Sequence, residues 1–182
     1  MIGAPQRRLA TRHRWVSPLE LEALMPELTG LLADSVSRGA SLGFIPPLGY
    51  RESQDYWRSL MPELQAGSRL LLAAFAEGQL LGSAQLLLPT WPNARHRAEI
   101  QKVFVDAKVH GRGIGRSLMT ALHDAARRHG RSLVVLGARR GEPAEKFYRR
   151  LGYLEAGVIP GYTTGPSGQR HDNVTLYRQL PP

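Results

Sequence analysis

Cysteine is absent from this chain of 182 residues. Its absence excludes disulfides, a thiol nucleophile and any thiolate metal site, and it is compatible with a reducing compartment. No apolar run approaches the ~18 residues that a membrane span needs. The opening Met1-Ile2-Gly3-Ala4-Pro5-Gln6-Arg7-Arg8 lacks the apolar stretch of a secretion signal, so a cytoplasmic location is the default expectation. Lysine is scarce: Lys102, Lys108 and Lys146 are the only ones among 24 basic residues, and the rest are arginine. Aromatics are only 7% of the chain, and the basic residues are scattered rather than clustered with them. The net charge of +9 therefore lacks the arrangement of a nucleic-acid surface, and no nucleic-acid partner is expected. Arginine on a solvated surface explains that charge, and attraction for an anionic ligand is the sharper alternative. The spacing of His110, His123, His129 and His171 suits no metal, and no metal site is expected.

The length fits one domain over residues 1–182 with a sizeable core, and residues 1–7 are expected to be flexible. A short strand is expected within residues 8–16. Ser17-Pro18 then supplies an N-cap and a first-turn proline, and Leu21, Leu24, Met25, Leu28, Leu31, Leu32 and Ser35 recur at helical spacing up to Arg38-Gly39. Residues 42–50 read as a loop, and a second helix over Glu52–Leu64 is interrupted by Pro62. The period then changes. Leu70–Ala76 and Gln79–Leu88 predict a hairpin around Glu77-Gly78, and Arg97–Val105 a third strand. Gly113–His129 is an amphipathic helix with Ile114, Leu118, Leu122 and Ala125 on one face. A buried strand over Ser132–Leu136, a short helix over Pro143–Leu151, and strands over Tyr153–Val158 and Asn173–Leu180 around a polar loop complete the chain. That order implies an α/β or α+β domain with a mixed sheet.

Between the third strand and its helix lies His110-Gly111-Arg112-Gly113-Ile114-Gly115-Arg116. Alternate glycines remove the Cβ atoms that keep a ligand off the backbone and permit positive φ. Successive N–H groups at a helix start can then converge on an anion such as a pyrophosphate. A Walker A loop requires Lys-Ser/Thr after its last glycine, whereas Arg116-Ser117 follows here. A Rossmann fingerprint requires a third glycine at position 116 or 118, where Arg116 and Leu118 stand.

The run Glu99–Val105 followed by Gly111–Met119 resembles the GNAT N-acetyltransferases, whose Arg/Gln-x-x-Gly-x-Gly/Ala signature spans His110–Gly115, with His110 departing at the first position. Ala144-Glu145-Lys146-Phe147-Tyr148, continuing to Gly152-Tyr153, is similar to a second block of that family. The resemblance implies a central mixed, mostly antiparallel sheet of about seven strands flanked by about four helices. It implies acetyl-CoA as cosubstrate, held by Val103, Phe104, Val105, His110, Gly111, Arg112, Gly113, Ile114, Gly115, Arg116 and Ser117. It also implies Tyr148 as the acid at the coenzyme sulfur and Glu99 as the base. The chemistry needs both: a lysine-like amine of pKa ~10.4 must lose a proton to attack, and the leaving thiolate gains from a donor. Each residue also has a plain structural reading, Tyr148 as core and Glu99 as a strand residue paired with Arg97 or Lys102. Gly141 stands where many members carry a coenzyme-contacting asparagine. The segments Val158–Tyr162 and Gly168–His171 are similar to the tabtoxin-resistance acetyltransferases, but Leu136-Gly137-Ala138 lacks an expected acidic residue. Tyr162, His171 and Asp172 are candidates to line an acceptor pocket. The implied partner is thus a small amino-acid-like or toxin-like amine. A protein N-terminus or lysine is the alternative acceptor, a non-enzymatic coenzyme or nucleic-acid binder is a further one, and homodimerisation is open.

Overall fold

Ser17 starts the first helix in the way its neighbours predict. Its N–H donates to Glu20 Oε2 (2.9 Å) while the Glu20 N–H donates to Ser17 Oγ (3.3 Å), a reciprocal cap that satisfies two backbone donors. The computed structural model describes residues 8–181, so the flexibility expected of residues 1–7 concerns positions outside the described residues. In chain order the elements are β1 (Arg12–Val16), α1 (Pro18–Ser37), α2 (Tyr50–Ser59), α3 (Met61–Gln65), β2 (Arg69–Ala76), β3 (Gln79–Leu87), β4 (Arg97–Val105), α4 (Ile114–Arg128), β5 (Leu133–Arg139), α5 (Pro143–Arg150), β6 (Leu154–Thr164) and β7 (Arg170–Gln179). The four expected helices are present, the second split into α2 and α3 beside Pro62, whose ring cannot continue a helix from the preceding turn.

The seven strands form one mixed sheet of order β1-β2-β3-β4-β5-β7-β6, antiparallel throughout except at β4–β5. Each face carries its own apolar core. Leu21, Leu28 and Leu32 of α1 and Trp57 of α2 pack on Leu71, Ala73 and Phe104 on one side. Leu118 and Leu122 of α4 and Tyr148 of α5 pack on Leu72, Leu86, Ile100 and Leu136 on the other. Successive strand residues face opposite sides, so one strand supplies both layers.

The expected polar loop between the last two strands is corrected by the structure. Residues 154–164 and 170–179 form a long hairpin, and only residues 165–169 turn. Pro160 and Gly161 read as punctuation, yet β6 is an edge strand, where a missing N–H costs little. A register irregularity between Ile159 and Thr163 absorbs them, with Asp172 Oδ1 accepting from the Gly161 N–H (2.9 Å). At the other end, the strand expected within residues 8–16 begins only at Arg12.

His123 of α4 is buried, its Nε2 2.7 Å from the Tyr153 hydroxyl. Burial, with Arg178 and Arg127 nearby, lowers its pKa from 6.5 to about 4. Below pH 6.5 the unfolded chain therefore takes up a proton that folded His123 refuses until about pH 4, and stability falls through that window. Denaturant titrations at pH 7 and pH 5 should differ by about 2 kcal/mol from this residue. The His123→Asn variant should lose that part of the difference; an unchanged difference contradicts the assignment.

Candidate active site

β4 and β5 share only three pairs, Arg97↔Leu133, Ala98↔Val134 and Glu99↔Val135. Beyond them β4 stays paired to β3 as far as Val105↔Gly82, and β5 to β7 as far as Arg139↔Asn173. The two strands thus part in the middle of the sheet, and residues 100–105 have no partner on the β5 side. Backbone N–H and C=O groups need partners, and an unpaired inner strand edge offers them to an extended ligand. An irregularity lies at the same place. Ser83↔Phe104 is followed by Gln85↔Gln101, so β4 carries an extra residue there, and Lys102 has φ +48°. Such a bulge turns the strand locally.

The open edge leads into the glycine loop. Gly111 has φ +77° and Gly113, the N-cap of α4, has φ +92°; both lie in the left-handed region that favours glycine. Gly115 allows close packing, since a Cβ there would stand 3.4 Å from Phe147 Cζ. Phe147 thereby ties α5 to the first turn of α4. Ile114 is buried and anchors the helix start, whereas Arg116 is exposed and has no ion pair among the described residues. The result is a cationic helix N-terminus with freed amides at the end of an unpaired strand, an arrangement suited to a long ligand with an anionic end.

The other expected coenzyme residues divide. Val103 and Val105 pack against the α4-side core and offer their backbones to the gap. The Phe104 side chain is buried in the opposite core, 6.4 Å from the Trp57 ring centroid, and its carbonyl faces Gly82 of β3, so it offers nothing to the gap. His110 folds back, its Nε2 2.9 Å from the Val105 carbonyl, and braces the loop from a position where the family has Arg or Gln. Ser117 Oγ donates to the Ile114 carbonyl (2.8 Å) and meets His13 Nε2 at 3.1 Å. His13 and Ser117 lie 104 positions apart in the chain, so no local pattern announces this contact. The Ser117 hydroxyl proton is committed to Ile114, and no carboxylate pairs with His13 among the described residues, so no hydrolytic triad results. A further contact was also missed: the Leu9 N–H donates to the Arg112 carbonyl (3.3 Å), laying the segment before β1 across the loop.

Tyr148 lies in the α4-side core, its ring 5.3 Å from Phe147 and 5.9 Å from Tyr153. Burial pushes its pKa above the ordinary phenol value, which keeps the hydroxyl protonated. Glu99 belongs to the other face. Its Oε1 accepts from Gln101 Nε2 (2.8 Å), Gln101 Oε1 accepts from buried Arg69 (2.9 Å), and Arg69 also donates to Gln85 Oε1 (2.7 Å) and pairs with Glu63. Gln85 Nε2 reaches the Tyr56 hydroxyl (2.8 Å), whose pKa burial pushes up to about 12. The acid and base candidates thus stand on opposite faces of the sheet, at the strand pair that opens. Arg69, Gln85 and Gln101 escaped the sequence reading, although polar residues at inward positions of apolar strands are a visible signal.

The three acceptor-pocket candidates fall on the last hairpin. Tyr162 is exposed on β6, His171 lies on β7, and Asp172 is engaged by the Gly161 backbone. The Gly141 N–H donates to Glu145 Oε2 (2.7 Å), binding the start of α5 to the strand before it. Among the described residues no cluster of His, Asp and Glu could hold a metal ion, and no helix is long and apolar enough to cross a membrane.

Residues 40–153 match the Acetyltransferase (GNAT) family. The chain is 31% identical over 117 residues to streptothricin acetyltransferase of Streptomyces lavendulae, covering 64% of this chain and 59% of that protein. It is 39% identical over 69 residues to an uncharacterized N-acetyltransferase of Methanocaldococcus jannaschii, covering 37% of this chain and 30% of that one. It thus spans less than two thirds of either relative. Among solved structures, the ribosomal-protein-alanine N-acetyltransferase of Brucella melitensis superposes with a TM-score of 0.74 at 23% identity, covering 93% of this chain and 99% of that one. A Salmonella typhimurium protein solved with its cofactor acetyl-CoA gives 0.73 at 20% identity, covering 95% of each chain. At such identities these two share the fold.

Proposed function

Because the chain belongs to the Acetyltransferase (GNAT) family, we propose that it transfers the acetyl group of acetyl-CoA to the primary amine of a small amino-acid-like or antibiotic-like molecule. One observation carries this reading: the unpaired edge of β4 runs into a loop whose glycines at 111 and 113 hold positive φ at a helix start. The residues present fit the coenzyme. Amides of Gly111 and of residues 113–116 would receive the pyrophosphate, and the backbones of Val103 and Val105 the pantetheine arm. Acetyl-CoA supplies an activated thioester carbonyl. Glu99 takes a proton from the acceptor ammonium and leaves a neutral nitrogen to attack that carbon. A backbone N–H of β4 stabilises charge gathering on the thioester oxygen. The N–C bond forms first and leaves that nitrogen with a surplus proton; Tyr148 gives its own proton to the sulfur as the C–S bond breaks, and the surplus proton restores its hydroxyl. The streptothricin relative supports an antibiotic-like acceptor.

Acetyl-CoA at a hundred times its Kd should stabilise the protein by about 2.7 kcal/mol, raising the Tm by about 5–10 °C. A thiol-release assay over amines, amino acids and aminoglycosides should find an acceptor among small molecules. No Tm shift and no thiol release overturn the proposal. One observation favours a protein N-terminus or lysine instead: residues 159–172 form a hairpin rather than a covering loop. An acetylated peptide with every small amine inert would establish that reading.

A further inference from the structure

Lys102 occupies the bulge of β4, and its side chain turns to the α1–α2 side. Its Nζ donates to the Leu42 carbonyl and lies 5.0 Å from the Phe44 ring centroid and 5.4 Å from that of Tyr56. A Cβ on Gly43, which has φ +82°, would stand 2.9 Å from Nζ, so glycine lets the loop before α2 close over the ammonium. An ammonium has three donors. Among the described residues one carbonyl takes a hydrogen bond from it, and no carboxylate pairs with it. The two ring faces attract the cation but supply no counter-charge, so they offset only part of the cost of holding it half-buried. An apolar side chain would fill the same space without that cost, so packing alone does not account for a lysine here.

The position suggests what the charge is for. Val103, the next residue, presents its backbone to the gap between β4 and β5, and Glu99 and Gln101 share the α1–α2 side with Lys102. An amine presented to Glu99 at the gap would leave its substituents against Lys102, Phe44 and Tyr56. We infer that Lys102 binds a carboxylate of the acceptor, which makes the acceptor an amino acid or close analogue with an acid group beside its reacting amine. This rests on the acetyltransferase reading above. The Lys102 pKa is depressed, chiefly by burial and also by Arg69, so an arriving anion relieves a cost already present. The rings also exclude water, and in the lower local dielectric the pairing is stronger.

Two coenzyme conjugates test this without knowledge of the natural acceptor. In one, the sulfur of coenzyme A carries –CH2–CO–NH–CH2–COO⁻; in the other the terminal group is –NH–CH3. Calorimetry should give the carboxylated conjugate about tenfold the affinity of its neutral partner. Lys102→Met should bring the two affinities together, and Lys102→Arg should keep part of the preference; both substitutions leave an ordinary L-residue at the bulge. Equal affinities in the native protein overturn the inference, as does a preference that survives in Lys102→Met. If neither conjugate binds the native protein, the acetyltransferase reading itself has failed, which is a different result.

Discussion

Tyr148→Phe is expected to lower kcat for thiol release by about 100-fold while the KM for acetyl-CoA changes by no more than about twofold. The phenol is buried, and burial raises its pKa. It therefore remains protonated throughout the range in which an acetyltransferase is assayed, as an acid for a leaving thiolate must. The native kcat should show no alkaline loss from Tyr148 below the ordinary phenol pKa of about 10. Removing one hydroxyl leaves the ring contacts with Phe147 and Tyr153 in place, so stability should change by less than about 1 kcal/mol. Denaturant unfolding separates this from general damage. A variant within threefold of native kcat would reduce Tyr148 to a core residue and leave thiolate departure to water or the backbone.

Gly113→Val should weaken acetyl-CoA binding by about 100-fold. Gly113 caps α4 at φ +92°, ψ −4°, and a β-branched residue is a severe outlier there. Space is not the obstacle: the nearest atom to an added Cβ is Arg8 Cγ at 3.7 Å. The backbone itself must rearrange, which turns the loop amides away from the place where they converge. Losing two charge-assisted hydrogen bonds of this kind costs about 3 kcal/mol. Calorimetry with coenzyme A reads the loss, and circular dichroism checks that the fold persists. Unchanged affinity in a folded variant would remove the loop from the coenzyme site.

Legibility in the sequence followed locality. The α1 cap, the hydrophobic stripe of α4, the break at Pro62 and the glycine loop each involve residues within a few positions of one another, and all were readable. The last hairpin was misread because Pro160 and Gly161 are ordinary turn residues, and whether a strand tolerates them depends on its being at the sheet edge. The meeting of His13 with Ser117 joins β1 to α4 across 104 positions, and no local pattern announces it. The polar chain from Glu63 through Arg69 and Gln101 to Glu99 draws on three elements. Its members could be flagged as polar residues in apolar strands, but their partners could not.

Residue chemistry and spacing alone determined the element order and singled out residues 111–116 as a candidate anion-binding loop, because both depend on short-range backbone and periodicity. They also nominated Tyr148 and Glu99, through the resemblance to a family. Only the tertiary structure decided that β4 and β5 pair over three residues and then part, that the two nominated residues stand on opposite faces of that opening, and that Lys102, beneath Gly43 and Phe44, has no counter-ion among the described residues. Strand pairing and burial are set by contacts among residues far apart in the chain. A lysine reads the same in sequence whether it is solvated or enclosed, and the inference that it receives an anion arises only once the fold has closed around it.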